Sequence, residues 1–492
     1  MIEGCKFFLK EYKAKYGDFQ FKVGEQYKHD GPVILCQSGF HFSRKIEDAF
    51  KYYKEEAHHC CKVEGGGEIK EGKDKVVCSE IHIKKELDIA EVLEKLSKDG
   101  SWSIRKAVAE NSNCPVGILE KLSEDDYCDV RKAVAENPNC PIGTLEKLSK
   151  DDNWHTRWAI VNNSNCPINV LKKLSKCGNG GIRKAVAANP NCLVNILDKL
   201  SNDNDWEVRE AVASNSNCSV EALEELSEDN NYDVQIAVAS NPNCLVETLK
   251  KLNENSDYND WAIRKAVAAN PNCLVNILDK LSNDNDWEVR AAVASNSNCS
   301  VNILDKLSED NDYDVRREVV LNSNCSVEIL KKLSEDGSYD VRWAVAKNPN
   351  CPVGILEKLS EDNDSDVRRA VAENLSCSTE TLEKLSKNGS WNIRKAVAEN
   401  SNCPVGILEK LSEDDYCDVR KAVAENPNCP IGTLEKLSKD DYWIIRETIA
   451  SNPNCPIKIL ETLSEDSDWD VRITVASNPN CPTDVLKKNK RK

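Results

Sequence analysis

The chain has 492 residues, of which 40% are apolar, and 83 acidic against 66 basic side chains give it a formal charge of −17. No apolar run approaches the roughly 18 residues of a membrane-spanning helix, and so acidic a surface repels an anionic bilayer or a nucleic-acid backbone. Twenty-three cysteines in a chain this long, with no apolar run after Met1-Ile2-Glu3-Gly4-Cys5 to serve as a signal peptide, point to reduced thiols in a cytoplasmic protein.

Residues 1–86 form one expected domain, with a net charge of +1 and five of the six histidines. Phe19-Gln20-Phe21-Lys22-Val23-Gly24 suggests a short strand and turn, and Val33-Ile34-Leu35-Cys36 a buried strand. Gly39–Ser43 leads into a helix over Ile46–Tyr53, with Ile46, Ala49, Phe50 and Tyr53 on one face. Cys61–Glu64 and Val76–Ile83 are expected as strands around a turn at Gly65-Gly66-Gly67. The whole segment is a small α+β domain.

Residues 87–486 carry a 26-residue period. Its clearest marker is an arginine at Arg105, Arg131, Arg157, Arg183 and Arg209. Gln235 takes the sixth place, and after a three-residue insertion near Asn253–Asp260 the series resumes. It then runs through Arg264, Arg290, Arg316, Arg342, Arg368, Arg394, Arg420 and Arg446 to Arg472. A cysteine stands nine residues after each position, as at Cys114, Cys140, Cys244, Cys273 and Cys481. Within one unit, Val130, Ala133 and Val134 lie on one face of a short helix, and Asn137-Pro138-Asn139 breaks it. Pro141 opens a second helix, buried through Leu145 and Leu148. Neither helix buries enough apolar surface alone, so stacking of fifteen units is required. Residues 104–152 recur unchanged as 393–441, and 182–209 as 263–290; copying of this kind extends a surface and does not create one special constellation.

The last six residues, 487–492, form a basic tail of charge +5, which leaves about −23 on the repeats.

The pattern Val-Arg-x-Ala-Val-Ala-x-Asn-Pro-Asn-x-Pro-x-x-x-Leu-x-x-Leu resembles the leucine-rich repeat variant family and, more distantly, HEAT and armadillo repeats. The resemblance covers about four fifths of the chain. It implies a mainly α fold, a right-handed armadillo-like α-solenoid built of alternating α- and 3₁₀-helices, and no particular activity. The period of 26 is longer than that family's unit, and the cysteine stands where the family has Thr or Ser. The first 86 residues resemble an uncharacterised domain at the start of many phage, bacterial and large-virus proteins. The likeness rests on Val-Gly-x-x-Tyr-x-His ending at His29, Cys-x-x-Gly-Phe-His from Cys36 to His41, and the residues around Val77–Ile83.

Four columns of the repeat admit both a structural and a binding role. The arginines either bridge adjacent repeats or present a guanidinium ladder to an acidic partner. The cysteines either cap the second helix as small buried residues, with Cys218–Glu221 and Cys244–Glu247 resembling capping boxes, or respond to redox or metal. Aromatic residues three positions before the arginine, such as Trp102, Trp206, Trp287 and Tyr313, close the edge between repeats or stack on a single strand of nucleic acid. The asparagines, such as Asn111, Asn137, Asn270 and Asn478, end the first helix as turn residues or clamp a peptide.

In the first domain, Gly39–Ser43 followed by the Ala49 and Tyr53 helix is similar to ADP-ribosyltransferase cores, which implies His29, Tyr53 and Glu64 as candidate catalytic residues. The same region concentrates Cys5, Cys36, Cys60, Cys61, Cys78, His29, His41, His58, His59 and His82, but no Cys-x-x-Cys pair is present to found a zinc site. No nucleotide loop, hydrolase triad or cofactor fingerprint appears. The expectation is a non-catalytic scaffold with no cofactor, binding a protein of basic or mixed charge, with the arginine column as its candidate contact residues. An enzymatic head with a targeting arm, or nucleic-acid binding by the Arg and aromatic columns, are the alternatives.

Overall fold

The computed structural model describes residues 1–15, 19–256, 260–453 and 455–482. The expected basic tail at 487–492 lies outside the described residues, as does part of the insertion between Asn253 and Asp260. The chain divides into two compact units, Met1–Thr248 and Leu249–Lys492.

The first unit opens with an antiparallel sheet of β1 (Ile2–Phe8), β2 (Gln26–Lys28), β3 (Phe40–Phe42), β4 (His59–Glu71) and β5 (Val76–Leu87), beside a short helix α1 (Ile46–Phe50). The strand order is β1-β4-β5-β2, and β3 also pairs with β5. Phe8, Phe21, Phe42, Val63, Val76, Ile81 and Ile83 form its core. Three expectations are corrected here. Val33–Cys36 is a turn closed by an Ile34–Ser38 bridge, not a strand, and Cys36 has a φ of 64°. β1 occupies residues for which no strand was expected. Finally, Gly65-Gly66-Gly67 lies within β4. The register shifts there between Gly66 and Ile69, with Gly67 at φ 67°, a β-bulge. Gly65 has a different reason: a Cβ there would sit 2.6 Å from the Phe42 ring, which the bare backbone admits.

Two helices then alternate. In the first unit the first helices are Trp102–Glu110, Cys128–Glu136, Trp154–Asn162, Gly180–Ala188, Trp206–Ser214 and Tyr232–Ser240, and Val116–Leu122 and Ile142–Leu148 are the earliest of the complete repeats' second helices. Within each unit first helices lie against one another, and second helices such as Val116–Leu122 and Ile142–Leu148 pack on the first helices of their own and the next repeat. The second unit repeats the plan from Trp261–Ala269 to Trp469–Ser477. Both helices of a repeat are α; the 3₁₀ geometry implied for one of them by the resemblance is not adopted.

The apolar positions behave as their spacing requires. In the second repeat Val130, Ala133, Val134, Ala135 and Leu145 are fully buried, and Cys140 and Leu148 nearly so. Each fully buried Val or Leu contributes about 1.5–3 kcal/mol. The cysteine sits one residue outside the expected cap. In the stretch Cys218–Glu221 the N-cap is Ser219, whose side chain accepts from Ala222 N, while Pro115 and Pro141 hold the same place elsewhere without a side-chain bond. Cys218 is simply a buried apolar residue before the cap.

The helix α2 (Ile89–Leu96) has the place of a second helix whose own first helix is missing. The head fills the gap. Asn111 Nδ2 donates to Lys54 O at 2.9 Å and Ala57 O at 3.0 Å, the bonds that Asn137 makes to Ala109 O and Asn111 O in the next repeat. Asn113 Nδ2 donates to His58 Nδ1 at 2.9 Å. That bond requires a neutral imidazole, and burial, helped by the charge of Lys10, lowers the His58 pKa.

Candidate interaction surface and head cleft

The arginine column is an internal clamp. Arg105 Nε and Nη2 hold both carboxylate oxygens of Asp125 at 2.6 and 3.0 Å, and Nη1 donates to Asp99 O at 2.8 Å. Asp125 in turn accepts from the Tyr127 amide through Oδ1, and its carbonyl accepts from Arg131 at 2.7 Å. Each rung thus feeds the next: an arginine forks onto the aspartate 20 residues ahead, in the following loop. Eleven such forks occur among the described residues, from Arg105–Asp125 to Arg446–Asp466. The acids two residues before the arginine, such as Asp129, are not the partners. The signal for the true partner was an aspartate six positions before most of the arginines, across the loop.

The fork holds the carboxylates ionised. At Asp203 the Arg183 bond lowers the pKa, against burial and with help from the Asp205 amide. At Asp125 burial alone would raise it, but the Arg105 fork, the Tyr127 amide and the charges of Arg105 and Arg131 bring it down.

Two rungs lack their acid. The position 20 residues after Arg157 is Cys177, and after Arg368 it is Asn388; in both arginines Nε is buried without a partner. Thr156, where neighbouring repeats have Val or Ile, also buries an unpartnered Oγ1. Cys177→Asp supplies the missing carboxylate on a backbone already shaped for it, since Arg183 donates to Cys177 O at 2.8 Å. This substitution, alone or with Thr156→Val, is expected to raise stability by about 1–2 kcal/mol. Urea midpoints measure it, and a fall would contradict the clamp.

The asparagines form a second ladder. Asn296 Nδ2 donates to Ala268 O at 2.6 Å and Asn270 O at 2.9 Å, while Oδ1 accepts from Asn298 N at 2.8 Å. The backbone there is extended (φ −68°, ψ 129°) and not left-handed.

What remains on the surface of the first helices is the aromatic column and its flanks. Trp102 is 40% exposed and Trp469 65%. Tyr127 stacks on Trp102 with ring centroids 6.0 Å apart, and Arg105 lies over Tyr127 at 5.6 Å. The aromatics therefore line an open edge and do not seal it. In the second unit Lys265, Trp287, Glu288, Ala292, Arg317 and Glu318 line a shallow groove of about 340 Å³ across three first helices.

The head holds a larger cleft, about 680 Å³, lined by Lys6, Lys15, Phe19, His29, Ser38, Phe40, His41, Tyr52, Tyr53 and Lys75 among others. His29 and Tyr53 reach it; Glu64 does not, being ion-paired with Lys84 Nζ at 2.7 Å on β4. The three transferase candidates are not brought together. Among the described residues the other Cys and His side chains form no group of three or more that could hold a metal: His59 stacks on Tyr12 and bonds Glu86, and His41 Nε2 accepts from Cys36 N.

Thiol reactivity separates the cysteines. Burial pushes Cys114 up to about 12 and Cys192 to about 11. The Cys60 hydrogen bond and the charge of Lys62, against burial, bring Cys5 down to about 7. With iodoacetamide at pH 8, Cys5 and exposed Cys36 are expected to label in the native protein, and the buried column members such as Cys114 and Cys192 only after unfolding. Peptide mass spectrometry decides; Cys114 labelling as fast as Cys5 would refute it.

Comparison with known proteins agrees with both halves. The family described as leucine rich repeat variant matches residues 129–153, 206–230 and 418–441. A domain of unknown function (DUF7666) matches residues 2–95. Among solved structures, a leucine-rich repeat variant with a novel repetitive structural motif is 25% identical over 44% of this chain and 83% of its own, with a TM-score of 0.35. A chain from a structure in which Kap95p binding induces the switch loops of RanGDP to adopt the GTP-bound conformation is 13% identical over 80% of this chain and 60% of its own, with a TM-score of 0.30. No curated protein matches. Among the described residues no helix is long and apolar enough to cross a membrane.

Proposed function

We propose that the chain is a non-catalytic scaffold on which proteins bind along the first-helix face of the repeats. One observation carries this reading. The Arg and Asn columns shared by the repeats are spent on joining neighbours and the Cys column is largely buried, whereas the residue after the Arg position varies among repeats and is half-buried to exposed. It is Lys in six repeats, as at Lys132, and elsewhere a residue such as Trp158, Glu210, Arg317 or Trp343, with Ile236 after Gln235, beside exposed aromatics that suit anchor contacts. The arginine column supports this surface from beneath, and the unpartnered Nε atoms of Arg157 and Arg368 are themselves buried. A charge of about −23 on the repeats favours a basic or mixed-charge partner and salt-sensitive association.

The test is affinity capture with the full chain from cells of its source, against a Lys265→Glu, Trp287→Ala, Arg317→Glu triple variant. A protein retained by the wild type at low salt and lost from the variant is the expected result. Identical captured sets would place binding elsewhere.

A further inference from the structure

The head cleft contains a buried cation with unspent donors. Lys6, on β1, is 7% exposed, yet His41 O at 2.7 Å is the protein acceptor its ammonium reaches. The Phe8 and Phe21 rings lie 5.7 and 5.5 Å from Nζ, and the neighbouring titratable groups are His41 and Cys78. An ammonium so placed has lost most of its water without gaining a counter-ion, an arrangement that persists only where something else compensates it. Among the described residues no Asp or Glu lines the cleft. Lys75 also lines the cleft, 3.6 Å over the Tyr52 ring and 3.7 Å from Cys36 Sγ, with no carboxylate partner among the described residues. Lys15 is the third lining lysine and is paired with Glu56 at 2.7 Å. The remaining wall is aromatic: Phe19, Phe40, Tyr52 and Tyr53 present ring faces or edges. A volume of about 680 Å³ is within the roughly 300–1,000 Å³ of small-molecule sites.

We propose that this cleft binds a small organic oxyanion bearing a planar ring, its phosphate or carboxylate bound by Lys6 and Lys75 and its ring laid against the Phe19–Phe40–Tyr53 wall. Lys6 is then the anion-reading residue of a site distinct from the repeat surface. Ligand binding would supply the counter-charge that the fold withholds. Burial also lowers the Lys6 pKa to about 8, so affinity falls as the pH rises through that value and the ammonium is lost.

The experiment is calorimetric titration of the full chain at pH 7 and pH 9.5 with adenosine monophosphate, benzoate, inorganic phosphate and uncharged adenosine. A ring-bearing anion is expected to bind once per chain, at least about tenfold more tightly than phosphate or adenosine, and more weakly at pH 9.5. Binding led by adenosine monophosphate assigns a phosphate ligand, and binding led by benzoate a carboxylate. Lys6→Met should weaken it about tenfold or more while Lys28→Met, outside the cleft, leaves it unchanged. If Lys6→Met fails to fold, Lys75→Gln and Phe19→Ala, both less buried lining residues, provide the same test. Absence of saturable binding by every probe at millimolar concentration, or equal affinity in the cleft variants, overturns the proposal.

Discussion

Asn296→Ala is expected to lower stability by about 3–5 kcal/mol, because it strands three buried or half-buried partners at about 1–3 kcal/mol each. The side chain is 5% exposed and joins two carbonyls of the preceding repeat to an amide of its own loop. Its own carbonyl is the acceptor for Asn322 Nδ2 at 2.9 Å, so the lesion sits on a shared joint. In an array stabilised by nearest neighbours, damage of this kind localises. Hydrogen exchange should therefore show protection falling in Trp287–Leu321 while Ser365–Leu385 is retained. Asn298→Ala is the control: its bonds to Pro271 O and Cys273 O are at the exposed rim, and about 1 kcal/mol is expected. Equal losses in the two variants would remove the asparagine ladder as a principal joint.

Acid should dismantle the repeats before it disturbs their apolar core. Nine of the forked aspartates have lowered pKa values. The unfolded chain therefore takes up protons first. The contribution of the forks is complete above the ordinary carboxylate range, near pH 4, and is lost as the pH falls through the folded values. The urea midpoint is expected to stay level from pH 8 to 6 and to fall by about half by pH 3. Asp362→Asn, which removes one titrating rung at Arg342, should lower stability at pH 7 and flatten the acid slope. A midpoint that does not change between pH 6 and pH 3 would mean the forks contribute nothing net.

The repeats were legible because their chemistry is periodic. Val130, Ala133, Val134, Leu145 and Leu148 are buried as their spacing requires, and Asn137 ends its helix. The destination of the arginine was harder to read, because its aspartate lies 20 residues on, whereas Asp129 is adjacent in sequence and on the same helix. Pairing across repeats is set by helix stacking, which spacing within one unit does not display. The cysteine was placed one residue too far into the helix because Pro and Ser at the following position compete for the same role. In the head, β1 escaped notice since Gly4 and Lys6 interrupt the apolar alternation of Ile2–Phe8. Those two residues are there for other reasons: Gly4 makes room for Phe42, and Lys6 points its ammonium into the cleft. A lysine's burial has no signature in its neighbours' identities, so the cleft emerged only from the fold.

The half-repeat at Ile89–Leu96, completed by the carbonyls of Lys54 and Ala57, makes the joints of the array one-directional: each repeat needs only a predecessor that offers two carbonyls. The head meets that need once, and within each unit repeats meet it for their successors, as Ala109 and Asn111 do for Asn137 and Ala268 and Asn270 for Asn296. Whole modules can therefore be gained or lost in register without redesigning any contact, as the unchanged 49-residue copy of 104–152 at 393–441 illustrates. Unequal exchange between near-identical gene segments would change the reach of the protein while leaving each product foldable. Length is thus a trait that selection can adjust separately from sequence, with the head as the fixed origin from which it is measured.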